Sequence, residues 1–148
     1  MNAQRDYNKE HQDNEDRKYS YGFDLDVMHP YMLRSFEPFI NKEGNTLELG
    51  SSRGDFTKRL SELFSSLTCV EASSEAIEEA KQKVPSSVKF INNLFENVEL
   101  PKKYDNIIFT HVLEHLDDPI KILKRINDEW LSDRGRLFLV TPNAMAPS

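Results

Sequence analysis

A chain of 148 residues is long enough for one domain with a real core and too short for two comfortable ones. Its formal charge of −6 argues against nucleic acid or an anionic membrane surface as the main partner, because both need a basic patch to displace counterions. The single cysteine, Cys69, excludes an intrachain disulfide framework and suits a reducing cytoplasm, and no run is apolar enough for a membrane span or a signal h-region.

In chain order, residues 1–18 (MNAQRDYNKEHQDNEDRK) hold almost nothing to bury and read as a flexible polar arm ahead of a domain over 19–148. Next, Met32, Phe36, Phe39 and Ile40 fall at helical spacing and predict a helix over 29–40, with Pro30 in its first turn. TLELG (46–50) is a short strand, and DFTKRLSELFSSL puts Phe56, Leu60, Leu63 and Phe64 on one helical face. LTCVEA is a second strand, in which Cys69 is expected to be a small buried hydrophobe. SSEAIEEAKQKV carries serine caps, acids in its first turn and lysines in its last, as a helix dipole prefers.

VKFIN is a third strand, and YDNIIFTHV a fourth, nearly continuous in apolar residues like a strand buried on both faces. DDPIKILKRINDEWL starts on Asp–Pro and is expected to bury Ile120, Leu123, Ile126 and Trp130. GRLFLVTPN is a fifth strand, stopped by Pro142. Alternating strands and helices imply right-handed crossovers, and hence an α/β Rossmann-like, doubly wound, mostly parallel sheet with helices on both faces. Ligands of such sheets sit beyond the carboxyl ends of the strands, at the switch point beside the first one.

The first of those ends, NTLELGSSRGDF (45–56), carries an acid, Glu48, just before its glycine turn. A dinucleotide fingerprint would need glycines where Gly50, Ser52 and Asp55 stand, so two of three are missing, which counts against a nicotinamide-dependent oxidoreductase. A carboxylate there also repels phosphate, by roughly 3 kcal/mol per charge pair at ~5 Å and an effective dielectric of ~20. The same charge holds a cation. S-adenosylmethionine offers an ammonium and a sulfonium, and its ribose diol wants an acceptor. Glu71, at the end of the second strand about twenty residues on, can accept from both hydroxyls.

LELGSSRGDFTKRL resembles the E-x-G-x-G-x-G motif of class I S-adenosylmethionine-dependent methyltransferases, with Ser52 replacing the middle glycine. CVEAS is similar to their second acidic motif, and YDNIIFTHVLEHLDDP with GRLFLVTPN to the segments around strands four and five in the branch acting on small molecules and sugars. The resemblance covers residues 25–148. It implies that Glu48 holds the methionine amino end, that Gly50 lets the backbone approach, that Glu71 binds the ribose, and that Leu94, Phe95 and Glu96 border the adenine. Beyond these, Ser51, Ser52 and Gly54 of the first turn, Ala72 and Ser73 after the second strand, and Thr110 and His111 after the fourth are expected at the cofactor. Many relatives carry an aspartate where Leu94 stands, so backbone groups or Glu96 must serve the adenine amino group here.

The resemblance implies methyl transfer to a small-molecule acceptor, with a sugar or nucleotide-linked sugar among the candidates. It also implies that the family's C-terminal strands are missing, so the sheet edge left uncovered offers a route to a homo-oligomer. A cofactor-binding module or fragment without catalysis is the alternative. HVLEHLDD (111–118) adds His111 and then His115 as candidate bases for a proton leaving the acceptor, unless Glu114 and His115 only cap and brace the following loop. With Glu114 they are also similar to the E-x-x-E-H metal ligands of RNA 2′-O-methyltransferases, but the first position is histidine, no further histidine follows, and no metal is expected. Tyr19, Tyr21 and Phe23 suit either packing against the 29–40 helix or stacking on the cofactor or acceptor.

Overall fold

The computed structural model describes residues 5–13 and 24–143. Tyr19, Tyr21 and Phe23 lie outside the described residues. Five strands, β1 (Thr46–Leu49), β2 (Leu67–Glu71), β3 (Lys89–Asn92), β4 (Tyr104–Thr110) and β5 (Leu131–Val140), form one sheet in the order β3-β2-β1-β4-β5. All pairings are parallel. Helices α1 (Tyr7–Asp13) and α2 (His29–Phe36) precede the sheet, and α3 (Asp55–Leu63), α4 (Ser74–Lys81) and α5 (Pro119–Arg125) lie in its crossovers.

The topology fixes which helix covers which face. Right-handed crossovers from β1 to β2 and on to β3 travel one way and put α3 and α4 on one side; β4 to β5 travels the other way and puts α5 opposite. Alternation along β1 then sorts its four residues, all buried. Leu47 and Leu49 pack with Val70, Ile107, Phe109, Ile122, Ile126 and Trp130 on the α5 side. The other face, where Thr46 and Glu48 point, holds Cys69, Ile108 and Phe138 under Met32, Phe36, Phe56 and Leu60 of α2 and α3. Trp130 is core, as its place on the helix stripe predicts. Among the described residues no helix is long and apolar enough to cross a membrane.

Four sequence expectations change. Within the supposed arm, residues 7–13 are helical and lie on the start of α4. Asn8 Oδ1 accepts from Ser73 Oγ at 2.7 Å, Gln12 Nε2 donates to Glu75 at 2.7 Å, and His11 is buried against Glu79, Nε2 to Oε1 2.8 Å. These are polar contacts to residues more than sixty positions away, which an apolar count cannot register.

The 29–40 helix stops at Phe36 and narrows to a 3-10 turn at Glu37–Phe39, because Pro38 has no N–H to continue the ladder. Phe39 is therefore exposed. On α5 the buried phase is Ile122, Ile126 and Trp130, while Ile120 is 66% exposed. Finally, β5 begins at Leu131 opposite Tyr104, ahead of a register break that resumes at Arg136 opposite Asn106.

Candidate functional site

A cavity of about 370 Å³ opens at the carboxyl ends of the strands, where the chain's direction of travel reverses between β1 and β4. Glu48, Gly50, Ser51 and Ser52 line it from the first turn, and Glu71 and Ala72 from the second strand end. Leu94, Phe95 and Glu96 close it beyond β3, and Thr110, His111 and His115 beyond β4. Gly54 and Ser73 stand outside it. A Cβ on Gly54 would lie 2.6 Å from the Cβ of Ala80, so this glycine (φ +84°) is where α3 meets α4. Ser73 caps α4, its hydroxyl accepting from Ala76 N at 3.1 Å, and its own N donates to Glu71.

The left-handed turns explain the shape of the floor. Gly50 has φ +83°, and a Cβ there would meet Val112 Cγ2 at 2.6 Å. The glycine thus also admits a side chain of the turn after β4. His111 is itself left-handed, at φ +56°, while its N still donates to Val140 O at 2.8 Å. Non-glycine residues held in that region cluster at functional sites.

Glu48 is 2% exposed. Thr57 Oγ1 donates to its Oε2 at 2.6 Å and Cys69 Sγ to the same oxygen at 3.4 Å. Cys69 is thus a buried small residue as expected, and a donor besides. Burial pushes the Glu48 carboxyl up to about 7; the two hydrogen bonds pull it back, and the nearby Glu71 charge pushes it further up. The Cys69 thiol goes well above its ordinary value, through burial and the Glu48 charge.

Glu71 Oε2 accepts from Ser52 N and Oε1 from Ser73 N, each at 2.9 Å. That ties the first turn to the second strand and leaves each oxygen a further lone pair. The Ser51 hydroxyl is buried at the cavity with no hydrogen-bond partner among the described residues. Such a group in a native structure calls for a partner beyond the protein's own atoms, a water or a ligand.

The remaining walls were not legible in sequence. Arg5, Tyr7 and Glu10 reach the cavity from α1 and its lead-in, and Arg5 also donates to the carbonyl of His115 at 2.7 Å. Met28, which caps α2, and His29, its first residue, also line the cavity, with the His29 ring 4.9 Å from that of Phe56. His115 Nε2 lies 3.6 Å from Glu114 Oε1. Among the described residues, no group of three or more His, Cys, Asp and Glu side chains is placed to hold a metal ion.

Comparison with known proteins agrees with this geometry. Residues 23–148 match the family described as methyltransferase domain. Nodulation protein S of Azorhizobium caulinodans is 38% identical over 109 residues, 71% of this chain and 53% of the relative. The chain spans about half the length of the curated relatives it matches. Among solved structures, the DhpI complex with S-adenosylhomocysteine (SAH) superposes with a TM-score of 0.71 at 25% identity, covering 88% of this chain and 65% of that one. The N-methyltransferase NodS from Bradyrhizobium japonicum, also with SAH, gives 0.65 at 25% identity, covering 74% and 58%. A parallel sheet in this order, an acid before the first glycine turn, an acid at the second strand end and these likenesses converge: the chain belongs to the methyltransferase-domain family.

Proposed function

We propose that the cavity binds S-adenosylmethionine and that the protein transfers its methyl group to a small-molecule acceptor. The carrying observation is Glu48, a buried carboxyl lining the cavity, whose bonds from Thr57 and Cys69 both fall on Oε2. A cation is the ligand that stabilises such a charge. The other groups fit the same molecule: Glu71 keeps lone pairs for a ribose diol, and the Ser51 hydroxyl suits the amino-acid end. Leu94 and Phe95 give an adenine an apolar wall.

Bound there, S-adenosylmethionine supplies an electrophilic methyl carbon on a sulfonium with a good leaving group. The chain's own task is then mostly to orient the acceptor. His111 and His115, on the turn beyond β4, are the residues suited to take up an acceptor proton. The likeness to a structure named as an N-methyltransferase supports nitrogen as the receiving atom. Sugars, the acceptor class favoured by the sequence, belong in the same screen as amines.

Calorimetric titration with SAH and with NAD tests the cofactor, followed by turnover with an acceptor panel. SAH binding without NAD binding is expected; NAD binding, or no SAH binding, overturns the proposal. Because the chain spans about half of its curated relatives, cofactor binding without turnover is a second reading. Methyl transfer by this chain rejects it.

A further inference from the structure

Thr57 is the third residue of α3 and is wholly buried. A helical threonine ordinarily turns its hydroxyl back to a carbonyl three or four residues earlier. Here the hydroxyl reaches across to the sheet and donates to Glu48 Oε2 at 2.6 Å, a distance typical of a charge-assisted bond. Cys69, directly beside Glu48 in the β1–β2 register, adds a longer bond to the same oxygen. Neither donor lines the cavity.

We propose that Thr57 is a positioning residue for the cofactor's cationic end: it ties down one oxygen of Glu48, aims the other at the cavity, and favours the ionised carboxylate. The inference rests on the cofactor reading above only for the nature of the ligand; the Thr57–Glu48 bond stands without it. The surroundings show why a donor is needed. Glu48 sits over the apolar face that carries Ile108, Phe56 and Leu60, and Glu71 adds a second negative charge from the end of β2. Arg53 and Asp55 from the α3 entrance, His29 from α2 and His111 from the turn after β4 are the other titratable or charged groups on this side of the cavity. Of the two bonds that favour the carboxylate, the Thr57 bond is the shorter, 2.6 Å against 3.4 Å.

Losing it leaves Glu48 neutral over more of the pH range, so a cationic ligand must displace a proton to bind. A folded-state value already raised to about 7 goes higher, and affinity is lost most at and below neutral pH.

The test is a ¹³C-carboxyl NMR titration of Glu48 in the ligand-free protein, for the natural sequence, Thr57→Ser and Thr57→Val. Calorimetry with SAH between pH 6 and 9 accompanies it. Thr57→Ser should titrate like the natural protein. Thr57→Val should move the midpoint upward and weaken SAH roughly tenfold at pH 7, the difference closing toward pH 9. Thr57→Ala, smaller than the residue it replaces, carries the same readout if the valine variant does not fold. An unmoved Glu48 midpoint in the variants lacking the hydroxyl overturns the inference. A moved midpoint with no SAH binding by any variant overturns the cofactor reading and leaves Thr57 in its role toward Glu48.

Discussion

Glu48→Gln separates the charge at the head of the site from its shape, and the structure gives the size of both effects. The glutamine carbonyl can accept from Thr57 and Cys69 as Oε2 does, so packing and hydrogen bonds survive. What disappears is a carboxyl raised from an ordinary 4.5 to about 7 by burial. At about 1.4 kcal/mol per pKa unit, that shift corresponds to about 3 kcal/mol. Because the folded-state value is the higher one, this contribution is fully present below pH 4.5 and lost as the pH rises through 7. Above that, the ligand-free natural protein carries a buried charge whose desolvation the two hydrogen bonds offset only in part.

Glu48→Gln should therefore be more stable than the natural protein at pH 8, by up to about 3 kcal/mol, and little different at pH 4. Its affinity for SAH should fall by about 1–3 kcal/mol, and its affinity for methylthioadenosine, which has no amino-acid end, by much less. Urea unfolding at the two pH values and calorimetry with the two ligands measure all four quantities. Equal losses for both ligands would mean that Glu48 organises the turn without meeting a cation. An unchanged stability at pH 8 would mean that the buried charge is compensated by something other than a ligand.

Glu71→Ala removes the acceptor of Ser52 N and Ser73 N along with the expected ribose contact, so SAH binding should weaken by roughly 1.5–3 kcal/mol; an unchanged Kd removes Glu71 from the site. Gly54→Val combines a φ of +84° with a Cβ 2.6 Å from that of Ala80, and should unfold the α3–α4 contact before it touches the ligand. A natural urea midpoint for that variant would refute the close packing. Ile122→Ala should cost about 2–5 kcal/mol of stability, while Ile120→Ala, on the same helix but exposed, should stay within about 0.5; equal costs would mean the helix face is wrongly phased.

The five strands, their parallel crossovers and the two acids were legible because each rests on a local pattern: alternating elements, an apolar run closed by a carboxylate, a glycine turn. What escaped depends on contacts between distant segments. YNKEHQD has no apolar stripe, and α1 is held by Ser73, Glu75 and Glu79, partners that sequence cannot pair with it. Gly50 signalled a turn, but that its missing side chain admits Val112 appears only when β1 and β4 lie side by side. Ile120 misled because Leu123 and Ile126 fit a stripe starting there equally well. The buried phase is set by Ile122, Ile126 and Trp130, over a segment whose last turn is π-helical.

The way α1 is attached has a kinetic consequence. Arg5, Tyr7 and Glu10 form part of the cavity wall, yet His11 is the one buried side chain among those described in α1, and the ties to α4 and to the His115 carbonyl are side-chain hydrogen bonds. Water can replace bonds of that kind, so α1 can lift while both apolar clusters stay intact, at a free energy far below global unfolding. For the cofactor proposed above, the residence time in this cavity is then expected to follow a handful of polar contacts on a seven-residue helix, independently of the stability of the sheet beneath.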